Sequence, residues 1–179
     1  PPLDAEDGDV VMIDDRPEND DDPRSRFYLT NSRFQVKKSG AFIYNHRSRY
    51  QNDRDLELYA LLEPGEDSVH AVERHGRSDL MRYRTDIFDD KYSKMRPTEP
   101  AKTIVSHLAK DGNSYIHPDQ TRSITQREAA RIQSFPDDHI FCGGPTEQWV
   151  QIGNSVPPAL AHAIGQHLMD FLKRSEYKK

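Results

Sequence analysis

The last third of the chain carries an apolar repeat that dictates both a helix and a need for something to cover it. Leu160, Ile164, Leu168, Phe171 and Leu172 recur at three- and four-residue spacing, the period that lines one face of an α-helix. Pro157 and Pro158 precede them, where a missing N–H costs little because first-turn donors have no partner within a helix anyway. The spacing predicts an amphipathic helix from about Pro157 to Arg174. A second helix is written upstream. Thr125 and Glu128 stand as a capping box, in which the threonine hydroxyl accepts from a first-turn N–H while the glutamate reaches back to the cap. That helix carries Ala129, Ala130, Ile132 and Gln133 and is predicted to end near Phe135, since Pro136 disfavours a helical residue before it.

Between the two helices, Gln148 to Val156 reads as a small-residue loop opening the last helix, with Gly153, Asn154 and Ser155 in sequence. Such a loop exposes backbone N–H groups at a positive dipole end, which suits an anion or a carboxylate; equally, Ser155 can simply cap the helix. Both readings stand on these residues. Elsewhere, Asp53 to Leu62 reads as a short helix capped by Asp53 or Asn52 and stopped at the Pro64-Gly65 turn. Ser68 to Tyr92 is charge-rich and is expected to form loops with short strands. Lys102 to Leu108 and Ser114 to His117 read as strands, with Asp111-Gly112 as a hairpin signal between them.

The charge is segregated. Residues 1–22 hold ten carboxylates and one arginine, so the overall net charge of −5 conceals a net of +4 over residues 23–179. The acidic opening has little apolar content beyond Val10, Val11, Met12 and Ile13 and reads as a mostly irregular, solvated segment; it lacks the ligand spacing of a metal site. From Arg24 to Arg49 there is no acidic residue, while Arg24, Arg26, Arg33, Lys37, Lys38, Arg47 and Arg49 are interleaved with Phe27, Tyr28, Phe34, Phe42 and Tyr44. Cations neutralise phosphates and rings stack on bases, so the stretch suits nucleic acid. An ordinary half-buried sheet with a basic outer face fits the same residues.

No apolar run approaches the roughly 20 residues that span a bilayer, and no signal segment opens the chain, so a cytoplasmic protein is expected. A single cysteine, Cys142, rules out an internal disulfide and a CxxC metal site and reads as a structural thiol. His46, His70, His75, His107, His117 and His139 form no ligand pattern, and no metal is expected.

Two segments carry a resemblance. Arg122 to Asp137 (RSITQREAARIQSFPD) resembles motif IX of the DNA (cytosine-5) methyltransferases, and Gln151 to Ala163 (QIGNSVPPALAHA) resembles their motif X, in the same order and spacing. Arg96 to Ile104 (RPTEPAKTI) with Ile116, His117 and Pro118 is similar to the segment before motif IX, and Asn45 to Arg49 (NHRSR) to an element of the target-recognition region. The resemblance implies that Asn154, Ser155 and Val156 face S-adenosylmethionine, that Arg122, Glu128 and Arg131 are mainly structural, and that DNA is read from loops between Arg24 and Arg96. The DNA-facing candidates are Arg33, Lys37, Lys38, Arg47, Arg49, Arg96 and Thr103.

The family's reaction flips the base, attacks C6 with a cysteine thiolate and transfers the methyl group. The Pro-Cys dipeptide, the Glu-Asn-Val segment and the glycine-rich cofactor strand that this needs do not occur in the sequence, so no catalytic residue is assigned. The expectation is an α+β chain: an irregular acidic segment (1–23), a loop-rich β target-recognition domain with the motif IX helix (24–145), and a motif X loop and helix (146–179) that docks on an S-adenosylmethionine-binding domain. Its expected partners are double-stranded DNA and an N-terminal catalytic half, with self-association through the last helix when that half is absent. A start at Pro1-Pro2 is expected of a fragment or processed chain. The alternative is a non-catalytic DNA-binding module or relic of such an enzyme.

Overall fold

The computed structural model describes residues 10–12, 42–81 and 91–176. Most of the acidic segment, and Arg33, Lys37 and Lys38 with it, lie outside the described residues.

Over the described residues the chain is mainly helical, with little of the β structure expected between residues 24 and 145. The strands are β1 (Val10–Met12) and β2 (Phe42–Tyr44), paired antiparallel with Val11 opposite Ile43. The small apolar patch of the acidic opening therefore belongs to a ladder instead of an irregular segment. Two helices follow. α1 (Asp53–Leu61) is capped by Asn52, whose side chain accepts from the Asp55 N–H. α2 (Ser68–His75) occupies the stretch expected to be loops and strands. Its signals are local: Asp67 accepts from the Val69 and His70 N–H groups, and Gly76, at φ 65°, closes the C-terminus in the left-handed conformation that glycine adopts without strain.

The expected hairpin at Asp111-Gly112 is not formed. Residues 101–105 form neither helix nor strand, and the chain then winds into α3 (Leu108–Asp111) and a 3-10 turn over Gly112–Ser114. A two-residue hairpin turn of the favoured type needs positive φ at both central residues, whereas Gly112 sits at φ −60° and continues the helical turn. Beyond that turn, residues 115–117 make only isolated bridges, with Ile116 parallel to Lys94 and antiparallel to Ser123. Their alternation still has a use, because Tyr115 and Ile116 point into different cores. Tyr115 packs with Ile104, Leu108, Ile124, Ala129, Ala130, Phe141, Trp149 and Ile152. Ile116 packs with Leu58, Tyr59, Leu62, Ala71, Val72, Leu80 and Tyr92.

The capping-box helix is present as α4 (Gln126–Ile132), with both halves of the box formed. Beyond it, Gln148–Asn154 is not a loop. α5 (Pro145–Asn154) starts with proline in its first turn, where Glu147 accepts from the Gly144 N–H at 2.8 Å, and runs through Gly153. The break before α6 (Pro158–Glu176) spans only Ser155 to Pro157. Gly153 is helical for a packing reason: a Cβ there would lie 2.8 Å from the carbonyl oxygens of both Val105 and Ser106. Replacing glycine by alanine in a helix normally gains roughly 1 kcal/mol. Here backbone atoms block the methyl, so Gly153→Ala is expected to destabilise by about 2 kcal/mol in urea unfolding. A neutral or stabilising result would refute this tight seat.

Candidate nucleic-acid and cofactor interface

α4 is the centre of a buried polar frame. Arg122, which is 7% exposed, donates through both terminal nitrogens to the Glu128 carboxylate at 2.8 and 2.7 Å. Glu128 also accepts from the Thr125 N–H at 2.7 Å. Burial alone would favour its neutral form, but the Arg122 hydrogen bonds and charge outweigh burial and hold the carboxyl at about 2. His117 Nε2 lies 3.6 Å from the same carboxylate, while its Nδ1 accepts from the Asp119 and Gln120 N–H groups at 3.0 Å each. With Nδ1 accepting, the imidazole is the neutral Nε2–H tautomer, and burial pushes its pKa down in the same sense. Arg131 pairs with the buried Asp137 at 2.9 Å, and Gln133 Nε2 donates to Ile152 O at 3.0 Å, tying α4 to α5.

Arg127 was not among the residues the sequence singled out, and it is fully buried. Its guanidinium donates to Tyr44 O (2.9 Å), Pro136 O (3.0 Å), His139 O (2.6 Å) and Asn45 Oδ1 (3.5 Å). Asn45, 82 residues away in sequence, is itself pinned: its amide donates to Phe141 O and its Oδ1 accepts from the Phe141 N–H, both at 3.0 Å. Desolvation lowers the Arg127 pKa to about 10, which leaves it charged at neutral pH. The sequence signal for such a hub is faint, since an arginine in a first helical turn is ordinarily a surface residue.

The sequence-assigned DNA residues are placed differently from one another. Arg47 is exposed. Arg49 is turned inward: it donates to Leu108 O at 3.1 Å and Ala109 O at 3.3 Å and lies 4.8 Å from the Trp149 ring centroid. Burial lowers its pKa. Arg96 is half-exposed and paired with Glu99 at 2.8 Å, and any side chain at Gly65 would run into its guanidinium. Thr103 is exposed, with its carbonyl accepting from the Tyr115 hydroxyl at 2.6 Å.

At the break between α5 and α6, Asn154 is exposed and Val156 is 62% exposed. Ser155 caps the end of α5 rather than the start of α6, its Oγ donating to Ile152 O at 2.7 Å. The first turn of α6 is instead served from outside, with the Ala159 N–H donating to Ser134 Oγ at 3.0 Å. α6 itself is exposed along its length; Leu160, Ile164, Leu168, Met169, Phe171 and Leu172 are each more than half exposed. Cys142 is exposed and free, and among the described residues no His, Cys, Asp or Glu cluster could hold a metal ion. No helix among them is long and apolar enough to cross a membrane.

The model of the C-5 cytosine-specific DNA methylases matches residues 8–170, and the chain belongs to that family. It is 32% identical over 144 residues to the type II methyltransferase M.DdeI of Desulfomicrobium norvegicum, covering 74% of this chain and 34% of that protein. It is 44% identical over 79 residues to the type II methyltransferase M.AgeI of Thalassovita gelatinovora, covering 44% of this chain and 18% of that protein. A solved structure from Escherichia coli, described as a DNA modification methyltransferase encoded within a prophage, aligns with 92% of this chain and 40% of its own at a TM-score of 0.55 and 21% identity, so the two share a fold. The chain thus spans well under half the length of these relatives.

Proposed function

We propose that this chain is the DNA-recognition portion of a cytosine-5 methyltransferase, completing a cofactor site and holding duplex DNA for a catalytic half that carries the nucleophile. The observation that carries the reading is the exposed apolar stripe of α6, joined by a short break to a well-packed body. A monomeric protein seldom leaves so many large apolar side chains on one helix uncovered. The break holds Asn154, Ser155 and Val156, the residues that the family's motif X would turn toward S-adenosylmethionine.

The donor set fits one wall of a site for the zwitterionic end of that cofactor. The exposed Asn154 amide has a donor for a carboxylate. Ser155 Oγ has committed its proton to Ile152 O, which leaves lone pairs for an ammonium group. When bound, S-adenosylmethionine supplies the methyl group. On the DNA side, Arg33, Lys37, Lys38, Arg47, Arg96 and Thr103 stand as candidate contacts, whereas Arg49 acts through packing, since its guanidinium is occupied by the end of α3. Arg122, Glu128 and Arg131 keep the frame rigid and touch no substrate.

The chain alone is expected to transfer no methyl group from radiolabelled S-adenosylmethionine to duplex DNA. Adding a separately produced N-terminal portion bearing the Pro-Cys and Glu-Asn-Val elements should restore transfer. A folded, stoichiometric complex that stays inactive would overturn the reading. Without that portion, α6 is expected to drive self-association, which sedimentation at increasing concentration would register.

A further inference from the structure

Residues 45–52 form a strap whose side chains are sorted with unusual strictness. Asn45 is 4% exposed, and its amide bridges the N–H and carbonyl of Phe141. Its own carbonyl accepts from the Arg127 N–H at 2.9 Å. His46 Nδ1 lies 3.0 Å from Thr125 Oγ1. Arg49 closes the end of α3, Gln51 Nε2 donates to Ser123 Oγ at 2.8 Å, and Asn52 caps α1. The strap is thereby fastened to α4, to the loop before α5, to α3 and to α1.

Asn45 takes a left-handed φ of 61° to enter this arrangement, a conformation that a non-glycine residue holds only when its surroundings over-determine it. Two side chains are left outside. Arg47 is exposed and makes no hydrogen bond or ion pair among the described residues. Tyr50 is 90% exposed, more than any other large apolar side chain described. Neither contributes to packing, yet both stand on backbone fixed at four points, and no carboxylate lies between residues 43 and 52. An exposed guanidinium and an exposed phenol hydroxyl, carried on a fixed backbone in a carboxylate-free stretch, match the donors that grip a phosphodiester backbone.

We infer that Arg47 and Tyr50 are a phosphate clamp that fixes duplex DNA against the strap independently of base sequence. The inference rests on the DNA-recognition reading above and adds a specific surface to it. The two residues should be separable by salt. Arg47 displaces a counterion from the phosphate it neutralises, and Tyr50 donates a neutral hydrogen bond and displaces none.

The test is fluorescence anisotropy of the full 179-residue chain with labelled duplexes of unrelated sequence, repeated across a salt titration. Arg47→Gln should lower the magnitude of the slope of log affinity against log salt by about 1, and Arg47→Lys should restore it. Tyr50→Phe should weaken every duplex by about three- to tenfold with the slope unchanged. Arg77→Gln, which removes a cation already paired with Glu57 and Asp79, should change neither. If the unaltered chain binds with a steep salt dependence but Arg47→Gln and Tyr50→Phe behave like it, the clamp is refuted while the recognition reading stands. If the unaltered chain does not bind DNA, both fall.

Discussion

Replacing Arg127 by methionine is expected to cost about 3–5 kcal/mol of unfolding free energy. Methionine replaces the apolar stem of the side chain but supplies none of its donors. The part-buried carbonyls of Tyr44 and His139 would then lose this donor, that of Pro136 would keep only the His139 N–H, and Asn45 would lose one of its ties. Each orphaned carbonyl carries a desolvation cost of about 1–3 kcal/mol. Among the described residues no carboxylate hydrogen-bonds this guanidinium, and Asp137 pairs with Arg131 instead. The stabilisation is therefore that of a cation solvated by peptide dipoles. Lysine keeps the charge but not the fork of donors, so Arg127→Lys should recover less than half of the loss. Urea unfolding measures both variants, and a loss below about 1 kcal/mol for methionine would show that water or neighbouring groups replace the guanidinium.

Glu128→Gln is the second large effect, and it carries a pH signature. The carboxyl is ionised in the fold down to about 2, against 4.5 ordinarily. A carboxylate with a depressed folded pKa stabilises above its unfolded value and loses that contribution as pH falls through the folded one. The parent chain should therefore lose on the order of 3 kcal/mol between pH 4.5 and 2 through this group. The glutamine variant should start lower by a comparable amount, since buried Arg122 loses its counter-charge, and should show a flatter profile over that window. His117 adds a step on the same acid side. Its folded pKa lies below 6.5, so its contribution is full above 6.5 and declines as the pH drops. Parallel acid profiles for the parent and Glu128→Gln chains would sink the assignment.

Local chemistry was the legible part. The capping box at Thr125 and Glu128 begins α4, Asn52 caps α1, and the apolar period marked out α6 to within about two residues of its observed Pro158–Glu176 span. α2 was legible in principle through Asp67 and Gly76, but charge density in that stretch obscured two good caps. The strand readings failed differently. Branched residues such as Ile104 and Val105 suit any extended, half-buried backbone, and whether a partner strand lies alongside depends on residues far away.

The same division runs through the site. The family's segments, the capping-box helix and the amphipathic last helix were legible in the sequence, because each depends on residues within a turn or two of one another, whereas the loop read over Gln148–Val156 is helical as far as Asn154. Tertiary packing makes Gly153 a seat against Val105 and Ser106 and turns Arg49 inward while Arg47 faces out. It also joins Arg127 to Asn45 across 82 residues. The physical reason is that a guanidinium is at home equally in water and against a set of backbone carbonyls. Composition cannot distinguish those two environments, and the long-range path of the chain selects one.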